Sequence, residues 1–137
     1  MKPEELIKWV GEEYGTVAEH KWFKYPDFAV LRNADGKWYG VIMNVPKSKF
    51  GLEGDGDVFV VNVKSDPMWI DMLVEKPGYE RAYHMNKDKW ISVFLDGSVD
   101  DETIKDMLAD SYEKTSIKKK NRTGKKNETV YSRRIHG

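Results

Sequence analysis

Val58 to Val63 reads VFVVNV, an almost continuous apolar run in a chain where 34% of residues are charged. A strand with one wet face alternates apolar and polar residues. A run that does not alternate needs cover on both faces, which places it at the middle of a sheet. The remaining sequence has to supply neighbouring strands and an apolar layer to pack on them.

Those elements are legible in the flanks. The spacing predicts a helix from about Pro3 to Tyr14, with Leu6, Val10 and Tyr14 on one face and Ile7 and Trp9 beside it. Pro3 suits the first turn, Glu4 and Glu5 suit the positive helix end, and Gly15 suits the stop. Val17 to Lys24 is open between a loop and a first strand. Phe28 to Leu31 and Lys37 to Met43 are strand candidates, joined through Asn33 to Gly36, because Asn and Gly tolerate positive φ. Val45 to Asp57, with Pro46, Gly51, Gly54 and Gly56, reads as a long loop.

Asp66-Pro67 opens a second helix, with Asp66 as N-cap and Pro67 in the first helical position. Its buried stripe is Trp69, Ile70, Leu73 and Val74, and it ends before Pro77-Gly78. Trp90 to Leu95 is a further strand, closed by Asp96-Gly97. A last helix begins near Ser98 to Asp100 and carries Ile104, Met107, Leu108, Ser111 and Tyr112 at helical spacing. The order α-β(3–4)-α-β(1–2)-α, with helices at both ends of a mostly antiparallel sheet, describes a two-layer α+β fold. Residues 1–116 form one domain, and 117–137 a basic C-terminal tail.

The formal net charge of zero hides an uneven distribution. Residues 1–117 carry 15 Lys and Arg against 22 Asp and Glu, a balance of −7, and residues 118–137 carry eight against Glu128 alone, a balance of +7. A tail of that kind seeks an anionic partner or folds onto the acidic body. The absence of Cys excludes disulfides, Cys-based zinc sites and thiol nucleophiles. The N-terminus lacks the apolar core of a signal peptide, and no run approaches the ~20 apolar residues of a transmembrane helix, so a cytoplasmic location is expected.

Gly51, Gly54 and Gly56 lead into a strand, whereas a phosphate loop follows a strand and opens a helix. Glu53, Asp55 and Asp57 lack the spacing and late Glu of a calcium loop. His20, His84 and His136 fall in different elements, with no second His at metal-ligand spacing. Only His84 sits in a dense polar cluster, with Asn86, Lys87, Lys89 and Trp90. Lysines interleaved with Tyr83 and Trp90 suit phosphate contacts and base stacking; they equally suit a soluble turn.

Several stretches resemble the MmcQ/YjbR family of small bacterial proteins. They are VNVKSDP (Val61 to Pro67), the stretch from Pro77 through AYHMNKDKW to Trp90, and FLDGSVDDETIKDMLADSY (Phe94 to Tyr112). The segment MNVPKSKFGLEGDGD resembles the family's middle loop. Where the family pattern reads LKCDP this chain has VKSDP, so Ser65 stands in place of a Cys. The resemblance implies a compact YjbR-like α+β fold, of the kind compared with frataxin-like (CyaY-like) and secretion-chaperone-like folds. It implies no catalytic residues and no cofactor.

Proteins of the family are commonly labelled DNA-binding. The resemblance and the tail together give the expectation of a non-enzymatic module that contacts DNA phosphates. The residues expected to do so are Lys64, His84, Asn86, Lys87, Lys89 and Trp90, with Lys118, Lys119, Lys120, Arg122, Lys125 and Lys126 of the tail. Two alternatives stay open. One is a protein-interaction module, by analogy with chaperone-like folds. The other is a binder of a planar small molecule among the five Trp and seven Tyr, in line with the link of the MmcQ name to mitomycin resistance. No membrane partner is expected, and the oligomeric state is open.

Overall fold

The computed structural model describes residues 1–116. Helix α1 (Pro3–Tyr14) is followed by β1 (Ala29–Arg32), β2 (Trp38–Pro46) and a 3-10 turn (Lys47–Phe50). Then come β3 (Asp57–Lys64), α2 (Pro67–Leu73), β4 (Tyr79–Arg81), β5 (Trp90–Phe94) and α3 (Asp101–Thr115). The strands form one sheet in the order β1-β2-β3-β5-β4, and every neighbouring pair is antiparallel. The run that resists alternation is the middle strand, as its composition requires.

The register shows what β3 does with its two faces. Val61 lies opposite Ile42 of β2 and Val93 of β5, while Val60 lies opposite Met43 and Phe94. Val61 and Val63 join Leu6, Val10, Ile70, Leu73, Ile104 and Leu108 in the core beneath the three helices. Val58 and Val60 join Phe28, Val41, Met43, Val45 and Phe94 in a second apolar cluster. Burying one such side chain contributes roughly 1.5–3 kcal/mol. Two or three of them match the ~5–15 kcal/mol net stability of a typical domain, so neither face is left bare.

The β1–β2 turn is built by one side chain. Asn33 Oδ1 accepts from the amides of Asp35 (2.9 Å) and Lys37 (3.0 Å), and Gly36 takes φ +80°. Asn33 Nδ2 donates to Thr115 Oγ1 at 2.9 Å, which ties the hairpin to the end of α3. Past this turn the β1–β2 register slips, because Leu31 pairs with Gly40 but Arg32 with Trp38. Tyr39 is the extra residue of that bulge. Ser111 of α3 closes the gap: its Oγ accepts from the Lys64 amide (2.9 Å) and donates to the Tyr39 carbonyl (2.6 Å). A hydroxyl thus stands where a β2–β3 ladder bond would be, and Ser111 is fully buried.

One boundary differs from the sequence expectation, one open segment is settled, and one cap forms differently. β2 runs on through Pro46 because Val45 pairs with Val58 and is buried, so the expected loop from Val45 loses its start to the sheet. Val17 to Lys24 contributes only one isolated bridge, Glu19 with Val30. Asp66 occupies the N-cap of α2, but its side chain makes no cap bond and pairs with Lys114 at 3.1 Å instead. No described helix is long and apolar enough to cross a membrane.

Behind the bulge, Tyr14 stacks on Tyr112 at 4.1 Å, and Tyr39 meets Tyr112 edge-on at 4.9 Å. Burial pushes the Tyr39 hydroxyl up to about 12, against the lowering effect of its hydrogen bond to Thr16. Burial, with the Asp100 charge, pushes Tyr79 up to about 12, and burial raises Tyr14 as well.

Two outcomes follow from these contacts. Ser111→Ala removes the hydroxyl that pairs the part-buried Lys64 amide and the buried Tyr39 carbonyl, and should cost about 1–3 kcal/mol in urea unfolding with an unchanged m-value. Unfolded tyrosines ionise near 10, so between about pH 10 and 12 the folded state holds protons that the unfolded state has released. Stability is therefore complete below pH 10 and should fall as pH rises through that window, which an alkaline denaturation series reads directly.

Candidate functional site

The helices cover one face of the sheet. The second face is covered by three segments outside the α-helices, and the candidate site lies where they meet. The first is the approach to β1. Here the Tyr25 amide donates to the Trp22 carbonyl (3.1 Å) and the Phe28 amide to the Tyr25 carbonyl (3.0 Å), which folds Trp22 to Phe28 into consecutive turns. Tyr25 stacks on Phe28 with ring centroids 4.9 Å apart, and Trp22 meets Phe28 and Trp38 edge-on at 5.9 and 6.1 Å. Lys21 and Arg32 hold their cations 5.7 and 5.8 Å from the Trp38 ring. The second segment is the 3-10 turn, whose Phe50 packs on Phe94 and Tyr83.

The third segment, residues 82–89, is the stretch that carries the polar cluster. It is a closed turn. Asn86 Oδ1 accepts from the Asp88 amide (2.9 Å), its carbonyl accepts from the Trp90 amide (2.9 Å), and Lys87 Nζ donates to the Ala82 carbonyl (2.7 Å). His84 takes φ +58°, the left-handed region, and is the one non-glycine residue to do so among the described residues. Asn, Asp and His reach that region more readily than bulkier residues.

A buried polar pair anchors this turn to the sheet. Asn62 of β3 and Ser92 of β5 face each other in register, and both are fully buried. Ser92 Oγ donates to Asn62 Oδ1. Asn62 Nδ2 donates to the Tyr83 carbonyl at 3.0 Å, and the Tyr83 amide donates to Ser92 Oγ at 3.2 Å. Both main-chain groups of Tyr83 are thereby paired by side chains of the central strands, one residue before His84.

Between the three segments lies a pocket of about 620 Å³. Val41 and Met43 of the sheet line it together with Trp22, Tyr25, Phe28 and Trp38; Tyr83 and Met85 line it from the third segment, and Asn44, Pro46, Lys49, His84 and Asn86 complete it. Its volume falls within the 300–1,000 Å³ usual for small-molecule sites, and its makeup matches theirs: aromatic and apolar walls with a few polar groups.

Among the described residues the expected phosphate contacts fall into three groups. His84 and Asn86 line this pocket. Lys87 lines an adjoining hollow with Arg81 and Glu80. Lys64 and Lys89 line a third recess with Ser65, Asp66 and Lys114. Trp90 is half-buried at the start of β5, paired with Lys64. Lys118, Lys119, Lys120, Arg122, Lys125 and Lys126 lie outside the described residues. Sequence reasoning missed the aromatic side of the site: Trp22, Tyr25, Phe28, Trp38, Met43 and Lys49. The signal was the density of rings in KWFKYPDF (Lys21 to Phe28), next to a strand apolar on both parities.

Comparison with known proteins places the fold. The YjbR family model matches residues 12–114. The chain belongs to the YjbR family. It is 38% identical over 113 residues to the uncharacterized protein YyaQ of Bacillus subtilis (strain 168), covering 82% of this chain and 96% of that protein. It is similar to a crystal structure of a Pseudomonas syringae protein, at 38% identity and a TM-score of 0.82, over 85% of this chain and all of the other. A Deinococcus radiodurans protein with a DUF419 domain, 19% identical, shares the fold at a TM-score of 0.63 over 90% of this chain and 89% of its own. The YjbR match spans all three segments that wall the pocket.

The anchoring of the third segment has a direct test. Ser92→Ala removes the acceptor of the Tyr83 amide, so that amide should exchange with deuterium markedly faster while amides of β3 keep their protection. An unchanged Tyr83 exchange rate would mean that the turn holds without its buried anchor.

Proposed function

We propose that this YjbR domain is a non-enzymatic binding module whose site is the second-face pocket, and that it takes a planar, largely apolar small molecule. One observation carries the reading: Trp22, Tyr25, Phe28 and Trp38 wall a pocket of about 620 Å³ over an apolar floor. Flat rings gain most from such walls, through stacking and edge contacts. Tyr25 is 54% exposed although it stacks on Phe28, which leaves part of it accessible at the pocket's edge. Among the described residues no hydrogen bond joins Tyr25, Lys49, Tyr83 or His84 to another side chain of the pocket.

This reading moves ahead of the expected contact with DNA phosphates. The cations of residues 84–90 open onto separate hollows, and residues 1–117 carry a net charge of −7 that repels a polyanion. DNA binding rests on the tail lysines, a contact that would not read sequence.

Riboflavin is a suitable neutral ring probe, because stacking on Trp or Tyr quenches its fluorescence. Titration with the full chain should give saturable quenching. Removing one stacking ring typically loses about 1–3 kcal/mol, so Tyr25→Ala should weaken binding about fivefold or more. Absence of saturable quenching for this ring system, with or without a 5′-phosphate, would remove the pocket reading. Salt-sensitive binding of labelled duplex by the full chain, lost in a chain ending at Ser116, would assign DNA contact to the tail alone.

A further inference from the structure

Two hollows share a wall. Lys49 and Tyr83 line both the aromatic pocket and the adjoining hollow of about 440 Å³ that also holds Arg81, Lys87 and Glu80. The second hollow has a different chemistry from the first. Three permanent cations line it against one carboxylate, on a body whose first 117 residues are net acidic. Positive charge gathered in a concave site on such a surface focuses the local field there.

The donors of that hollow are incompletely committed. Lys49 is exposed, and its side chain makes no hydrogen bond or ion pair among the described residues. Lys87 Nζ gives one of its three N–H donors to the Ala82 carbonyl, which fixes the ammonium in place. Arg81 Nη2 reaches Asp71 at 2.8 Å, but the two side chains are 43% and 69% exposed, so that pair is weak and breaks at little cost. The guanidinium fork retains donors that match an oxyanion in two parallel bonds. Glu80 opposes this charge, and burial raises its carboxyl above the usual range, which disfavours its charged form.

We infer that the ligand is an aromatic anion: a planar ring system seated among Trp22, Tyr25 and Trp38, carrying a phosphate or carboxylate that crosses Tyr83 to Lys49, Arg81 and Lys87. The inference rests on the pocket reading above and adds the charge of the ligand to it. The ring supplies contact area and the oxyanion fixes its direction. A nucleotide or an aromatic acid has this chemistry; a neutral planar drug fills only half of the site.

A matched pair of probes separates the two ideas: riboflavin and riboflavin 5′-phosphate, titrated against the full chain at about 50 and 200 mM salt. The phosphate form should bind about tenfold tighter at low salt, and the advantage should shrink at high salt. Lys49→Gln and Arg81→Gln should each lose most of the advantage, and Arg81→Gln, which lies outside the aromatic pocket, should leave riboflavin binding unchanged. Lys8→Gln removes an equal charge from α1, on the helix-covered face, and should leave the advantage intact. Circular dichroism confirms that the variants fold. Equal binding of the two probes overturns the inference and leaves the pocket reading standing. A phosphate advantage that survives both Lys49→Gln and Arg81→Gln also overturns it, because the tail cations then supply the attraction. Failure of both probes to bind overturns the inference and the pocket reading together.

Discussion

A central strand that is apolar on both sides, with three α-helices among the described residues all on one face, sets the terms for this fold. Val61 and Val63 face the helices, and Val58 and Val60 face away from them. Leaving the second set in water would forgo stabilisation comparable with that of the whole domain. The chain covers that face with loops. Loops cannot present a continuous apolar stripe as a helix does, so their cover comes from large single rings: Trp22, Phe28, Phe50 and Tyr83. Rings standing on a sheet leave concave space between them. The pocket is in this sense a consequence of how the second face is closed.

Loop cover brings a second difficulty, which is polar backbone against an apolar face. The fold meets it with side chains placed inside the sheet. Asn62 and Ser92 are buried polar residues on strands that otherwise read as apolar, and they take up both main-chain groups of Tyr83. Ser111 does the equivalent on the helix face, between Lys64 and Tyr39. In each case a small buried polar group replaces a missing ladder bond. Satisfied, such groups specify one arrangement; unsatisfied, each would cost about as much as a lost core side chain. The positive φ of His84, one residue beyond the anchor, is held by that docking, so the position of the cluster at 84–86 is set by residues on β3 and β5.

The sequence was legible where local rules and periodicity agree. α1 starts at Pro3 and stops at Gly15, whose φ of +69° is the conformation glycine was expected to supply. The hairpin turn at Asn33 to Gly36, the middle place of β3 and the buried stripe of α3 are likewise as read. What escaped was decided at long range. The end of β2 depends on Val45 finding Val58, which no local signal announces against the adjacent Pro46. The Asp66 carboxylate turned to Lys114, 48 residues away, instead of capping its own helix. At the site, the polar cluster around His84 was visible as a string, but a string cannot say which hollow each side chain opens onto. Half of the pocket comes from residues 22–44, about 40 to 60 positions upstream, and only the antiparallel order of β1, β2, β3 and β5 brings the two halves together.

The same topology explains why the charges disperse. Lys87 and Lys89 are two residues apart in a tight turn, yet one faces the hollow beside Arg81 and the other the recess beside Lys114. Between them the chain bends so that the Lys89 carbonyl can accept from the Ser65 amide at 2.9 Å. That bond extends the β3–β5 pairing by one step, and it needs the backbone of residue 89 to run with the sheet while residue 87 still belongs to the turn. A row of cations along a flat surface would favour a long polyanion. Here the cations are split by a strand end, one set beside an aromatic pocket and the other around Asp66, and form no such row. The sheet pairing that fixes the end of the turn is thus also what holds the two sets of cations apart.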